Sequence, residues 1–238
     1  MLIPIRDHNP TRRFPFVTVG LIVVNTLVFL MQQFDPHITL YYSAIPAEVL
    51  RNEPGILRVP VEVAPGWARM VEVQREVPPQ ITIFTSMFLH GGWLHLIGNM
   101  WSLWIFGNNV EDTLGHWRYL ILYIVWGYLA AWSHILPNMY STVPVVGASG
   151  AIAGVMGAYA LLFPHARLDC VLLFFVLTFV EVPAIFFLIF WFVSQFFVAS
   201  PGIAYLAHIG GFVAGLATVK LLGGRDALLG YRRYYWDE

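Results

Sequence analysis

Val145-Val146-Gly147-Ala148-Ser149-Gly150-Ala151 sets one hydroxyl between two glycines, where a charge-free, proline-bearing loop gives way to a long apolar segment. Outward from it, Gly150, Gly154, Gly157 and Ala158 leave a bare stripe, the pattern by which helices pack closely in a membrane. A serine in the first turn of such a helix sits beside unpaired backbone N–H groups and the positive end of the helix dipole, where developing negative charge is favoured. Ser149 is therefore a candidate nucleophile for acyl transfer. On this stretch alone the simpler account is a helix N-cap followed by ordinary helix contact, and what favours chemistry lies elsewhere in the chain.

The rest of the chain is of one kind with this segment. Of 238 residues, 58% are hydrophobic and 11% charged, where a soluble domain carries about 25% charged residues. This composition indicates a polytopic membrane protein. A net charge of -1, with the basic residues scattered, excludes the basic field that nucleic-acid binding needs. The single cysteine, Cys170, can form no internal disulfide and lacks the spacing of a thiolate metal site. Arg6, Arg12 and Arg13 before an apolar run imitate a signal peptide, but no small-residue cleavage pattern follows at Leu30-Met31-Gln32-Gln33. The run is read as a retained anchor.

Hydropathy predicts an all-α bundle of six membrane spans, near 16–34, 88–106, 119–136, 147–164, 182–198 and 203–222. Residues 1–15 and 223–238 are expected to be cytoplasmic tails on a membrane domain of 16–222. Between the first two spans lies a long, proline-rich, polar loop, 35–79, whose apolar residues suit a position in the membrane interface beside the bundle. The stretch from Cys170 to Val180 is too short to span and is expected to extend the fourth helix or to lie along the surface. Pro201-Gly202 is read as the turn into the sixth span, and Arg232 and Arg233 as part of an aromatic tail at the headgroups. Lysine and arginine in the short flanks put both termini in the cytoplasm, so that Ser149 opens its helix from the other side.

Polar groups at membrane depth need a reason. A serine hydroxyl needs a base, most often histidine, and His208 falls at the same depth as Ser149 in the sixth span. Ala204, Ala207, Gly211 and Gly215 surround it with a second small-residue face, so the two helices can come within hydrogen-bonding reach. His95 and Asn99 are four residues apart and share a helix face, and both offer N–H donors for an oxyanion beside the Ser149 backbone N–H. Interhelical hydrogen bonding accounts for that pair equally well if Ser149 is inert. On a continuous helix His90 and His95 diverge by about 140°, a poor arrangement for a shared metal. No metal or other cofactor is expected. No carboxylate is evidently placed to orient His208, which predicts a Ser/His dyad.

Taken together these residues resemble the rhomboid intramembrane serine proteases. The resemblance rests on His90-xxxx-His95-xxx-Asn99, Gly147-Ala148-Ser149-Gly150, Ala207-His208-xx-Gly211-xxx-Gly215 and Glu111-xxx-Gly115, in the family's order, with Ile3-Pro4-Ile5-Arg6-Asp7 ahead of them. It implies a six-helix core, Ser149 as nucleophile, His208 as general base, and His95 and Asn99 as oxyanion donors. It also implies single-span membrane proteins as substrates, cut in or near the span at helix-unstable sites. One departure is that the Trp-Arg pair of the family's first loop is interrupted here as Trp67-Ala68-Arg69. The alternative is a noncatalytic relative that holds membrane helices for quality control. The expected location is the lipid of a prokaryotic plasma membrane.

Overall fold

The computed structural model describes residues 2–35, 37–64, 67–173, 177–197 and 204–230. Strand β1 (Leu2–Asp7) leads into helix α1 (Phe16–Phe34), which fills the first apolar run from end to end. The long first connection then folds as α2 (His37–Tyr42), α3 (Pro46–Arg51), an antiparallel hairpin of β2 (Ile56–Ala64) and β3 (Trp67–Gln74), and α4 (Pro79–Thr85). After it come α5 (Trp93–Leu114), α6 (His116–Ile135) and α7 (Ser149–Leu162). A hairpin of β4 (Arg167–Leu173) and β5 (Leu177–Pro183), then α8 (Ala184–Ser194), α9 (Tyr205–Leu221) and α10 (Gly224–Leu229), complete the described chain.

The protein is a mostly helical membrane protein, with α7 at its centre. From Gly150 to Ala160 every residue of α7 is buried, the mark of a helix enclosed on all sides. It packs most extensively against α9 and also against α5 and α6. Side chains such as Leu94, Ile121, Phe186 and Phe190 point outward, an apolar surface that suits lipid and not water. Among the described residues, α1 alone is by length and hydropathy long and apolar enough to cross a membrane, joined by α4 with α5 if their bent pair is one span. Helices α7, α8 and α9 are apolar but shorter.

Two boundaries differ from the expectation. A 79° bend separates α4 and its following 3-10 turn from α5, so the expected span at 88–106 begins at Trp93 and runs on to Leu114. His90 therefore lies ahead of the helix that carries His95. The second difference is at 167–173 and 177–183, which do not extend α7 but pair as strands, with Leu172 and Phe179 exposed in keeping with the surface alternative. Leu168 and Cys170 are buried and alternate with Arg167 and Asp169, the period of a strand. β4 finds partners on both sides, β5 and the distant β1, giving a sheet of order β1-β4-β5. The Pro201-Gly202 turn, the start of the sixth span at Ile203, the end of the fifth at Val198, and Arg232 and Arg233 lie outside the described residues, as does the side chain of Trp67.

Helix α1 has no side-chain cap of its own. Glu111, fully buried near the end of α5, supplies one. Its carboxylate accepts from the Val17 and Thr18 backbone N–H groups at 2.9 and 2.8 Å, from Thr18 Oγ1 at 2.7 Å, and meets His116 Nδ1 at 2.5 Å. Negative charge is favoured at that helix end, so an acid in an apolar bundle is held in place by the groups it satisfies.

Asp7 ties β1 to the bundle. Its Oδ2 accepts from Asn109 Nδ2 of α5 at 2.6 Å and from the Tyr159 hydroxyl of α7 at 2.8 Å. Burial pushes its carboxyl from 3.8 up to about 6, with the Tyr159 hydrogen bond opposing. A folded-state pKa above the unfolded one means that this group's contribution is fully present below about pH 4 and is lost as pH rises through about 6. Asp7→Asn is expected to raise thermal stability at pH 8, by an amount on the order of 3 kcal/mol, and to leave it unchanged at about pH 3, below both pKa values. Melting curves of the two proteins across that range check it, and parallel pH dependences would refute it.

Candidate active site

Three connections build the loop that carries Ser149. Gly147 takes φ +128°, a conformation open to glycine and strained for other residues, and its N–H donates to the Ser86 carbonyl at 2.9 Å. A side chain there would also strike the His95 ring. Just upstream, Val145 and Ala44 exchange backbone hydrogen bonds at 2.7 and 3.1 Å, so the first connection braces the loop. Arg75, 1% exposed, fixes that brace by donating to Glu48 at 2.7 Å and to the carbonyls of Tyr41 and Ser43.

Ser149 is the first residue of α7, and the N-cap is Ala148, with no side-chain cap. The N-cap role for the serine is thereby excluded, and its hydroxyl turns elsewhere. Ser149 Oγ lies 2.8 Å from His208 Nε2. What brings them together is the contact between α7 and α9: a Cβ on Gly211 would meet the Gly150 carbonyl, one on Gly215 the Gly154 carbonyl, and one on Gly157 the Phe212 carbonyl. Backbone rests on backbone along the whole seam.

Ser149 and His208 open into a cavity of about 790 Å³ that is also lined by His95, Asn99, Met156 and Trp191. Its walls mix apolar and polar groups and it has room for several waters. The Gly91 N–H donates to His95 Nδ1 at 3.3 Å, which leaves the hydrogen of a neutral ring on Nε2, beside Gly147. Asn99 Nδ2 is buried without a protein partner, an unspent donor in the same cavity. His90 is not part of the lining. It is 2% exposed, with both ring nitrogens unpaired, and its ring packs 5.2 Å from that of His95, while its backbone is clamped by Gln32 at 3.0 and 3.1 Å.

Residues 79–225 match the family model described as the rhomboid domain. The chain belongs to the rhomboid family. Among its relatives are the mitochondrial Rhomboid protein 1 of Saccharomyces cerevisiae, 36% identical over 96 residues, or 39% of this chain and 28% of that protein. The putative rhomboid protease YdcA of Bacillus subtilis is 39% identical over 83 residues, 32% of this chain and 38% of the relative. Rhomboid protease GluP of the same bacterium is 38% identical over 76 residues, 32% of this chain and 14% of the relative. In each case the similarity spans well under two thirds of the relative's length.

One contact in this rhomboid domain was not legible from spacing. Gln195, 6% exposed at the end of α8, places its Oε1 2.8 Å from His208 Nδ1. A search for a carboxylate passes over it because glutamine carries no charge, and nothing in the sequence distance between positions 195 and 208 signals a contact. A polar residue in the apolar run Phe186 to Phe197 was the available sign.

Proposed function

We propose that the protein is an intramembrane serine endopeptidase that hydrolyses peptide bonds of single-span membrane-protein substrates. The observation that carries this reading is the 2.8 Å approach of Ser149 Oγ to His208 Nε2 at the mouth of a helix N-terminus, inside a cavity that admits water. Ser149 Oγ attacks the substrate carbonyl as His208 Nε2 takes its proton. The oxyanion is held by the Ser149 backbone N–H, His95 Nε2–H and Asn99 Nδ2. His208 returns the proton to the leaving amine, then activates the water that releases the acyl group. No cofactor is needed for these steps.

The same reading takes residues 16–222 as a six-span membrane domain flanked by segments 1–15 and 223–238 on the cytoplasmic side, in a prokaryotic plasma membrane. The short helices count as spans because a cavity-lining helix need not face lipid along its whole length.

A fluorophosphonate probe, which reacts with an activated serine, tests the assignment. Labelling is expected for the wild type and should be lost in Ser149→Ala and in His208→Ala. Retained labelling in both variants removes the dyad, and absence of labelling in the wild type, with membrane helices still bound, returns the noncatalytic alternative. Asn99→Ala is expected to slow cleavage by roughly 10- to 10³-fold, because two other donors remain. A loss as complete as that from Ser149→Ala contradicts the shared role.

A further inference from the structure

His208 uses both ring nitrogens, and only one position of its proton lets it act as a base. Nε2 faces Ser149 Oγ at 2.8 Å and Nδ1 faces Gln195 Oε1 at 2.8 Å. A neutral imidazole carries one N–H and one lone pair. To accept the serine proton, Nε2 must hold the lone pair, so the hydrogen must sit on Nδ1.

The Gln195 side chain decides which. Its Nε2 donates to the Trp191 carbonyl at 3.0 Å and to Ser194 Oγ at 3.2 Å. Turning the amide over would set its oxygen against the Trp191 carbonyl, two acceptors facing each other, so the oxygen end stays toward His208. An amide oxygen only accepts, and it therefore draws the hydrogen to Nδ1. Trp191, one turn earlier on α8, lies with its ring 5.8 Å from the imidazole and tilted by 37°, which restricts the swing of the His208 ring.

We propose that Gln195 is a positioning residue that holds His208 as the Nδ1–H tautomer, so that the catalytic pair is a triad with an uncharged third member. This rests on the hydrolase reading above. When the Ser149 proton moves to Nε2, the positive charge spreads to Nδ1–H and its bond to the amide oxygen becomes charge-assisted and stronger. An amide does this without adding a buried anion to an apolar bundle, where a carboxylate would be costly until the imidazolium formed.

The test uses nitrogen-15 NMR of protein labelled in its histidines, in detergent, with His208 assigned by comparison with His208→Ala. Wild type is expected to show a protonated Nδ1 and an unprotonated Nε2. Gln195→Met keeps the length of the side chain and removes the acceptor. It should give a mixed or reversed tautomer signature and lower kcat by about 10²-fold with KM within about twofold. Gln195→Glu restores an oxygen acceptor and should recover the Nδ1–H signature with at least roughly a tenth of wild-type kcat. A protonated Nε2 in the wild type, wild-type kcat in Gln195→Met, or a Glu variant as impaired as the Met variant each overturns the proposal. The wild-type tautomer is read without turnover, and His208→Ala serves only to assign the signal. Failure of the hydrolase reading, seen as no Ser149-dependent cleavage, is thus distinct from failure of this one.

Discussion

Ser149→Ala is expected to lower cleavage of a labile single-span reporter in liposomes by at least about 10⁴-fold, with the fold intact. The fold should survive because the hydroxyl caps no backbone N–H of α7. What is lost structurally is one hydrogen bond to His208, worth about 1 kcal/mol net. Catalytically the loss is far larger, since in the proposed mechanism Oγ forms the bond to the acyl group. His208→Ala should approach the same floor, because the two residues act as a unit and their effects do not add. Comparable product from the wild type and either variant, at matched protein and with unchanged melting, rules the assignment out.

Gly211→Val is expected to destabilise the protein by at least about 3 kcal/mol and to lower cleavage by 10²-fold or more. The Cβ at 211 would enter the space of the Gly150 carbonyl, which is backbone one residue from Ser149 and cannot rotate aside. Relief requires α9 to back away from α7, and His208, less than one turn before Gly211, moves with it. The hydrogen bond to Ser149 stretches as the seam opens. Gly20→Ala is the control: a Cβ there meets nothing within 4 Å, so stability should hold or rise by roughly 0.5–1 kcal/mol. Denaturation in detergent and reporter cleavage, taken on all three proteins, give both numbers. Wild-type behaviour of Gly211→Val would mean that the glycine seam is not what sets the Ser149–His208 distance.

The seam was readable because membrane helices advertise close contact by composition. Gly150, Gly154 and Gly157 on one segment and Gly211 and Gly215 on another needed only the helical period to become two matching faces. His208 followed, as the one histidine inside the second face. The sheet was not readable in the same way. Residues 170–180 are apolar whether they form helix or strand, and a short apolar run does not reveal its period. What fixed β4 was pairing with β1, residues 2–7, more than 160 positions earlier. Gln195 was hidden for a related reason, since its partner lies on another helix and the connecting residues carry no pattern.

By itself, then, the sequence determined the membrane class, the longer apolar helices in outline and the identity of the serine and histidine worth pairing. These depend on local quantities: hydropathy summed over a window, and side-chain size repeated at 3.6 residues. Only the tertiary structure decided that an acid of α5 caps α1, that the first connection braces the loop before Ser149, that β1 completes a sheet, and that an amide faces the far side of His208. Each of these is a hydrogen bond between groups remote in the chain. Hydrogen bonds depend on distance and direction, which exist only once the helices have packed.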